Sequence, residues 1–339
     1  MRRGGSGGPG RPRSNPPPGE AHTHLLYPGN QGKVTSVTIR TLQRLRGADF
    51  LDIAQLDASQ LRDILDLAGE IKAGRWSGSP LRGRRLALLF QKPSLRTRVS
   101  FQVGIERLGG SALVLGEQEV GLGQREAVED VARVLDRYVD GIVARLFAHR
   151  DLIALAGAAS CPVINALTDG SHPCQVLGDL LTMEEALGRL DRAVRVAFVG
   201  DGNNVARSLM EAAAIVGFRL VVVSPPEHQP AAAGMPPWVQ VTGDLEAVRG
   251  ADVVYTDVWA SMGQEAEAQT RRARFREYQV NAELMARAPG AVFMHCLPAH
   301  RGEEVTAEVI DGPRSVVFDQ AENRLHAQMA LLAAIFGEI

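Results

Sequence analysis

Arg195-Val196-Ala197-Phe198-Val199-Gly200-Asp201-Gly202-Asn203-Asn204 sets the pattern of the whole chain. Four apolar residues occupy 196–199, a glycine-bearing turn follows, and apolar residues recur at helical spacing through 204–216. Another apolar run occupies 220–223. A short strand without polar alternation is buried on both faces, and strand–helix–strand order joins such strands in parallel.

The same alternation extends in both directions. Upstream, the spacing predicts helices over 56–71, 97–108, 128–139 and 173–187, and strands over 86–90, 141–146 and 162–166. Gly109-Gly110 stops one helix and Pro173 suits the first turn of another. Downstream, strands are predicted at 251–256, 291–295 and 315–318, with a closing helix over 322–336. The fold class is α/β, two domains, each a parallel sheet flanked by helices. The helix ending at 187 links them, giving domains 47–187 and 188–319.

Composition narrows the function. The chain has 339 residues, 45% hydrophobic and 22% charged, with net charge −2. No overall positive field favours nucleic acid or an anionic membrane. Cys161, Cys174 and Cys296 are odd in number and form no CxxC pair, which argues against a disulfide framework and for a reducing, cytoplasmic setting. No apolar run approaches the ~20 residues that cross a bilayer. Residues 1–20 are mainly Gly, Pro, Arg and Ser, so 1–46 is expected to be a disordered extension outside the fold.

In open parallel sheets, ligands bind beyond the carboxyl ends of the strands, and the unusual polar residues fall there. Ser94-Leu95-Arg96-Thr97-Arg98 opens a helix, where free N–H groups, hydroxyls and a guanidinium suit phosphate. The plain alternative is a capping serine with two solvated arginines. Arg145 ends an apolar strand, as a second anion clamp or as partner to a structural carboxylate. His172 and Gln175, in His172-Pro173-Cys174-Gln175, suit a carbonyl oxygen and an NH₂ group, unless His172 is only a cap. Asn203 and Asn204 suit a small carboxylate. Asp257, at a strand end, suits an ammonium, and Ser261-Met262-Gly263 reads as a loop able to close over a ligand. After His295-Cys296-Leu297-Pro298, the carbonyls of Cys296 and Leu297 can accept from an NH₂ group. Arg324 opens the closing helix and can return to the cleft.

Two rivals weigh little. Zinc would need His172, Cys174, His295 and Cys296 together, but their spacing fits no familiar pattern, and strand neighbours His295 and Cys296 should face opposite ways. A nicotinamide-dependent oxidoreductase would need a third glycine where Val205 stands, and an acid where the next strand ends in Ser224-Pro225-Pro226.

Ser94-x-Arg96-Thr97-Arg98, His172-Pro173-Cys174-Gln175 and His295-Cys296-Leu297-Pro298, in this order, resemble the aspartate/ornithine carbamoyltransferase family. Asp257-x-x-x-Ser261-Met262-Gly263 and Gly200-Asp201-Gly202-Asn203-Asn204 resemble its ornithine branch. The resemblance runs from Asp49 to the C-terminus. It implies an N-terminal carbamoyl-phosphate domain, a C-terminal ornithine domain, and a last segment, 320–339, packed back on the first. It also implies no metal or organic cofactor, and a homotrimer or a multiple of trimers.

By the same resemblance, Ser94, Leu95, Arg96, Thr97, Arg145, His172, Gln175, Cys296, Leu297 and Arg324 bind carbamoyl phosphate. Arg96, His172, Cys296 and Arg324 take the catalytic roles, and Asn204, Asp257, Ser261 and Met262 bind ornithine. Leu95 departs from the threonine common at that position and offers only its backbone N–H. A relative acting on another amine is the nearest alternative. An aspartate enzyme would want cations, not Asp257, around the second substrate.

Overall fold

A computed structural model of the chain describes residues 42–260 and 267–337. Two sheets organise them. The first holds β1 (Arg85–Phe90), β2 (Ser111–Gly116), β3 (Gly141–Arg145) and β4 (Val163–Leu167), in the order β2-β1-β3-β4. The second holds β5 (Arg195–Val199), β6 (Arg219–Val223), β7 (Val239–Thr242), β8 (Val253–Thr256) and β9 (Val292–His295), in the order β7-β6-β5-β8-β9. Every pairing between these strands is parallel. Their apolar runs follow from cover on both faces: all of β3, and all of β1 after Arg85, is buried.

The helices supply that cover: α1 (Ala58–Lys72), α2 (Leu95–Arg107), α3 (Val128–Leu135), α4 (His149–Ala158), α5 (Pro173–Leu187), α6 (Asn204–Val216), α7 (Ala268–Phe275) and α8 (Val317–Phe336). Asp57 caps α1 by accepting from Gln60 N–H, and Ser94 caps α2 by accepting from Thr97 N–H. Helix α8 lies against α1, α2 and α5, the helices of the first sheet. Its small residues Ala327, Ala330, Ala333 and Ala334 are buried there. The approach to α5 is close. A Cβ on Gly178 would stand 3.1 Å from the backbone nitrogen of Arg324, so a larger residue there would push the two helices apart by a few tenths of an ångström.

Several boundaries differ from the sequence expectation. The 315–318 segment is not a strand. Ser315 makes a single bridge to Phe293, and α8 begins at Val317, leaving Phe318 71% exposed. Three apolar residues in a row mimic a buried strand when they begin a helix. Edge strands β2 and β7 and helix α4 go beyond the elements expected from the sequence; β2 is only partly covered, with Leu113 53% exposed. Residues 42–46, expected in the extension, pack with the first domain. Leu42 and Leu45 are buried, and Gly47 donates to the Ile335 carbonyl at 2.9 Å. Residues 1–41 lie outside the described residues.

The strand orders locate the clefts. In the first sheet the chain leaves β1 toward β2 and then returns to β3 on the other side. In the second it leaves β5 toward β6 and returns to β8. Each reversal makes successive connections diverge, opening a crevice at the carboxyl ends of the adjoining strands. Ser94 and Arg145 lie at the first reversal; Asn203 and Asp257 lie at the second.

Candidate active site

The first-turn N–H groups of α2 have no acceptor within the helix, and its dipole adds positive potential. Leu95 sits there with its side chain 75% exposed, consistent with a backbone contribution alone. Thr97 is fully buried, and its hydroxyl accepts from two arginines, Arg324 Nη2 at 2.9 Å and Arg145 Nη1 at 3.4 Å. Arg324 is thus delivered from well inside α8 rather than from its start.

Among the described residues no carboxylate forms an ion pair with these cations, although Asp257 acts on Arg96 and Asp179 on Arg324 from farther away. Burial pushes Arg145 down to about 10, and the nearby charges of Arg324 and Arg96 push the same way. Burial likewise lowers Arg324 and Arg96. The Nε atoms of Arg96, Arg145 and Arg324 are buried without a hydrogen-bond partner. A buried unsatisfied group costs about 1–3 kcal/mol, more when charged. The cluster is therefore arranged for an anion.

His172 occupies the position before α5 but makes no side-chain cap. It is buried, its Nδ1 is partnerless, and burial with Arg324 and Arg145 holds its pKa well below the ordinary value. It is a neutral imidazole facing positive charge, suited to hydrogen bonding rather than ion pairing. Ser208 on α6 accepts from the His172 backbone N–H at 3.0 Å. Arg207 holds the preceding turn through the carbonyls of Asp169 and Gly170. Gln175 donates Nε2 to Asp179 at 2.8 Å, leaving its buried Oε1 without a partner.

The second reversal supplies a carboxylate. Asp257 is buried; its Oδ2 accepts from Asn203 Nδ2 at 2.6 Å, and its Oδ1 from the Cys296 thiol at 2.9 Å and Val258 N–H at 2.8 Å. Burial, reinforced by Asp257, raises the Cys296 thiol well above its ordinary value. Cys296 is therefore a protonated donor, not a thiolate. Asp257 lies close enough to favour the charge of Arg96. The anion cluster of one sheet and the carboxylate of the other thus face a common cleft.

Leu297 adopts φ +58, a left-handed conformation uncommon for leucine. His295 holds that turn by accepting from Leu297 N–H at its Nδ1, 2.8 Å away. The strand ends at His295, so alternation stops there. Contrary to expectation, His295 and Cys296 do not diverge: with Asp257 they bring ligand-type atoms within 4.8 Å of one another. These atoms already have partners: the Cys296 thiol donates to Asp257, His295 Nδ1 accepts from Leu297 N–H, and His295 Nε2 is 3.1 Å from Glu304.

Asn204 Nδ2 donates one N–H to the Thr168 carbonyl at 2.6 Å, tying α6 to the end of β4, and keeps its second N–H for another acceptor. Asn203 caps α6 and reaches Asp257, so the two asparagines flank the cleft in different ways. Ser261 and Met262 lie outside the described residues. The glycine turn also has a structural purpose. A Cβ on Gly202 would fall 2.3 Å from Pro230 Cδ and 2.5 Å from the His228 carbonyl, so this glycine admits the segment after β6 rather than a pyrophosphate.

Residues 48–185 match the carbamoyl-phosphate-binding domain model, and 192–335 the Asp/Orn-binding domain model, of aspartate/ornithine carbamoyltransferase. The chain belongs to the aspartate/ornithine carbamoyltransferase family. Within it, the chain is 52% identical over 308 residues to an ornithine carbamoyltransferase of Symbiobacterium thermophilum, covering 86% of this chain and 99% of that one. It is 51% identical over 310 residues to that of Thermococcus kodakarensis, covering 87% and 98%. The solved ornithine carbamoyltransferase of Pyrococcus furiosus superposes with TM-score 0.82 at 49% identity, covering 87% of this chain and 99% of that one. That of Thermus thermophilus gives 0.78 at 46%, covering 85% and 98%.

Proposed function

We propose that the chain is an ornithine carbamoyltransferase, converting carbamoyl phosphate and L-ornithine to L-citrulline and phosphate. The observation that carries this reading is the cluster of Arg96, Arg145 and Arg324, each with a buried and unsatisfied Nε, sharing one cleft with Asp257. Ser94, the Leu95 N–H, Arg96, Thr97 and Arg145 hold the phosphate. His172, Arg96 and Thr97 donate to the carbamoyl oxygen, while Gln175 and the carbonyls of Cys296 and Leu297 accept from its nitrogen. Arg324 completes that end.

Asp257, with Ser261, holds the ornithine α-ammonium, and Asn204 with the Met262 backbone holds the carboxylate. The neutral δ-amine then attacks the carbonyl carbon, the bond from that carbon to the bridging oxygen breaks, and phosphate leaves with the electron pair. The attacking nitrogen gives up a proton. Arginines placed where charge grows on the leaving group stabilise the transition state, and alignment of two bound reactants contributes about 7–11 kcal/mol.

A relative in Pyrococcus furiosus, 50% identical over 310 residues, is named an anabolic ornithine carbamoyltransferase, which supports a place in arginine biosynthesis. We assign the enzyme to the cytoplasm and to a homotrimer or a multiple of it; among the described residues no helix is long and apolar enough to cross a membrane. Colorimetric citrulline formation from carbamoyl phosphate and ornithine, with aspartate, acetylornithine and putrescine in parallel, tests the assignment. Turnover confined to ornithine is expected. Turnover of another amine alone would reassign the enzyme within its family.

A further inference from the structure

We propose that Asp179 is a positioning residue that fixes the Gln175 amide so that its oxygen, not its nitrogen, meets the carbamoyl group. The proposal rests on the carbamoyl-transfer reading above and adds a source of selectivity to it. Asp179 lies one helical turn beyond Gln175 on α5 and is fully buried. It is the lone charge in the apolar stretch 176–183. Its Oδ1 accepts from Gln175 Nε2 and from Gln320 Nε2, each at 2.8 Å, and its Oδ2 accepts from the Tyr255 hydroxyl at 2.9 Å.

An ionised carboxylate has no proton to give. Both glutamines must therefore turn their NH₂ groups toward it and their oxygens away. Gln320 is fixed from both ends, since its Oε1 accepts from His295 N–H at 2.9 Å. Gln175 is fixed from one end only, and its buried Oε1 is left without a partner. That oxygen requires a donor. The NH₂ of a carbamoyl group supplies one; the methyl of an acetyl group of similar shape does not. A site built to hydrogen-bond a substrate N–H rejects the analogue lacking it more strongly than an apolar pocket does. Burial raises the Asp179 carboxyl to about 6, which leaves it ionised at pH 8.

Kinetics at pH 8 with Asp179→Leu, Asp179→Asn and Gln175→Ala test the assignment, with acetyl phosphate as a competitive inhibitor that fills the same pocket without an NH₂ group. Asp179→Leu removes the acceptor and should raise KM for carbamoyl phosphate at least tenfold, while the acetyl phosphate Ki moves less than twofold. Asp179→Asn keeps an acceptor oxygen and should stay within threefold of wild type. In a Gln175→Ala background, adding Asp179→Leu should change KM by less than twofold, because the two residues act as a unit. A parallel rise in the acetyl phosphate Ki, or additive effects in the double variant, would overturn the proposal in favour of a purely structural carboxylate. If Asp179→Leu fails to fold, Asp179→Asn still decides: a tenfold rise in its KM overturns the proposal. Wild-type protein that forms no citrulline fails at the earlier step, and so is distinguishable.

Discussion

Replacing Arg145 by methionine should make the ligand-free protein more stable and nearly abolish phosphate binding. Arg145 is 6% exposed, and burial together with Arg324 and Arg96 pushes it from 12.5 to about 10. At about 1.36 kcal/mol per tenfold change in an equilibrium, the structure opposes this charge by roughly 3 kcal/mol. Relaxation and solvent reduce that, so a gain of about 1–3 kcal/mol is expected, or roughly 2–6 °C in Tm. The hydrogen bond from Arg145 to Thr97 is long, at 3.4 Å, so its removal offsets little of this gain. Removing one partner of a buried charge pair costs about 2–5 kcal/mol of binding, so phosphate affinity should fall on the order of 100-fold or more. Differential scanning fluorimetry reads both effects. Wild-type Tm should climb with added phosphate, since a ligand that binds only the native state stabilises it; the variant should start higher and barely move. A variant that starts lower and keeps the phosphate response would refute the reasoning.

Other outcomes follow from the same geometry. Asp257→Asn should raise the ornithine KM about 10–100-fold, as expected when a buried charge loses its ionic partner, and leave the carbamoyl phosphate KM within twofold by initial-rate kinetics; the reverse pattern would move Asp257 to the other substrate. Burial, with Asp52 nearby, raises the Glu211 carboxyl from 4.5 to about 7. The folded state therefore binds this proton more tightly than the unfolded chain, and the stability it contributes is lost as pH rises through about 7. Glu211→Gln should gain on wild type by about 1–2 kcal/mol between pH 5 and pH 8 in urea titrations; an unchanged difference contradicts it. Burial pushes Cys161 and Cys174 each up to about 12 and Cys296 well above its ordinary value. Ellman's reagent at pH 7.5 should find no fast-reacting thiol among these three until the protein is unfolded; one rapid equivalent would reveal a thiolate where burial should forbid it.

The parts legible in the sequence are those where one physical demand dominates. Buried parallel strands need unbroken apolar runs, so β1, β3, β5 and β6 stand out. Arg145, at the end of such a run, marks a charge that has to serve a purpose. Edge strands β2 and β7 are only partly buried, unlike edge strands β4 and β9, and carry no such signal. The start of α8 reads as a strand because Val316, Val317 and Phe318 satisfy strand and helix patterns equally. Within the site, the different partners of Asn203 and Asn204 are not legible in the sequence, because adjacent asparagines are chemically identical until the helix start is known. The capping position, which turns Asn203 toward Asp257 and Asn204 toward Thr168, is set by the backbone. Asp179 gives a readable sign, a lone acid one turn after Gln175 in an apolar helix, but its partners Tyr255 and Gln320 come from distant segments that only the fold brings together.

The central claim is that the anion-holding groups after β1 and β3 and the ammonium-holding carboxylate after β8 serve one bound assembly. Isothermal titration with a phosphonate linked through a two-carbon acyl group to the δ-nitrogen of ornithine measures this directly. If the two halves occupy one cleft, joining them makes the second binding event intramolecular, and the linked compound should bind at least a thousandfold more tightly than either phosphate or ornithine alone. Affinity no better than that of the stronger half would mean the two sites do not meet.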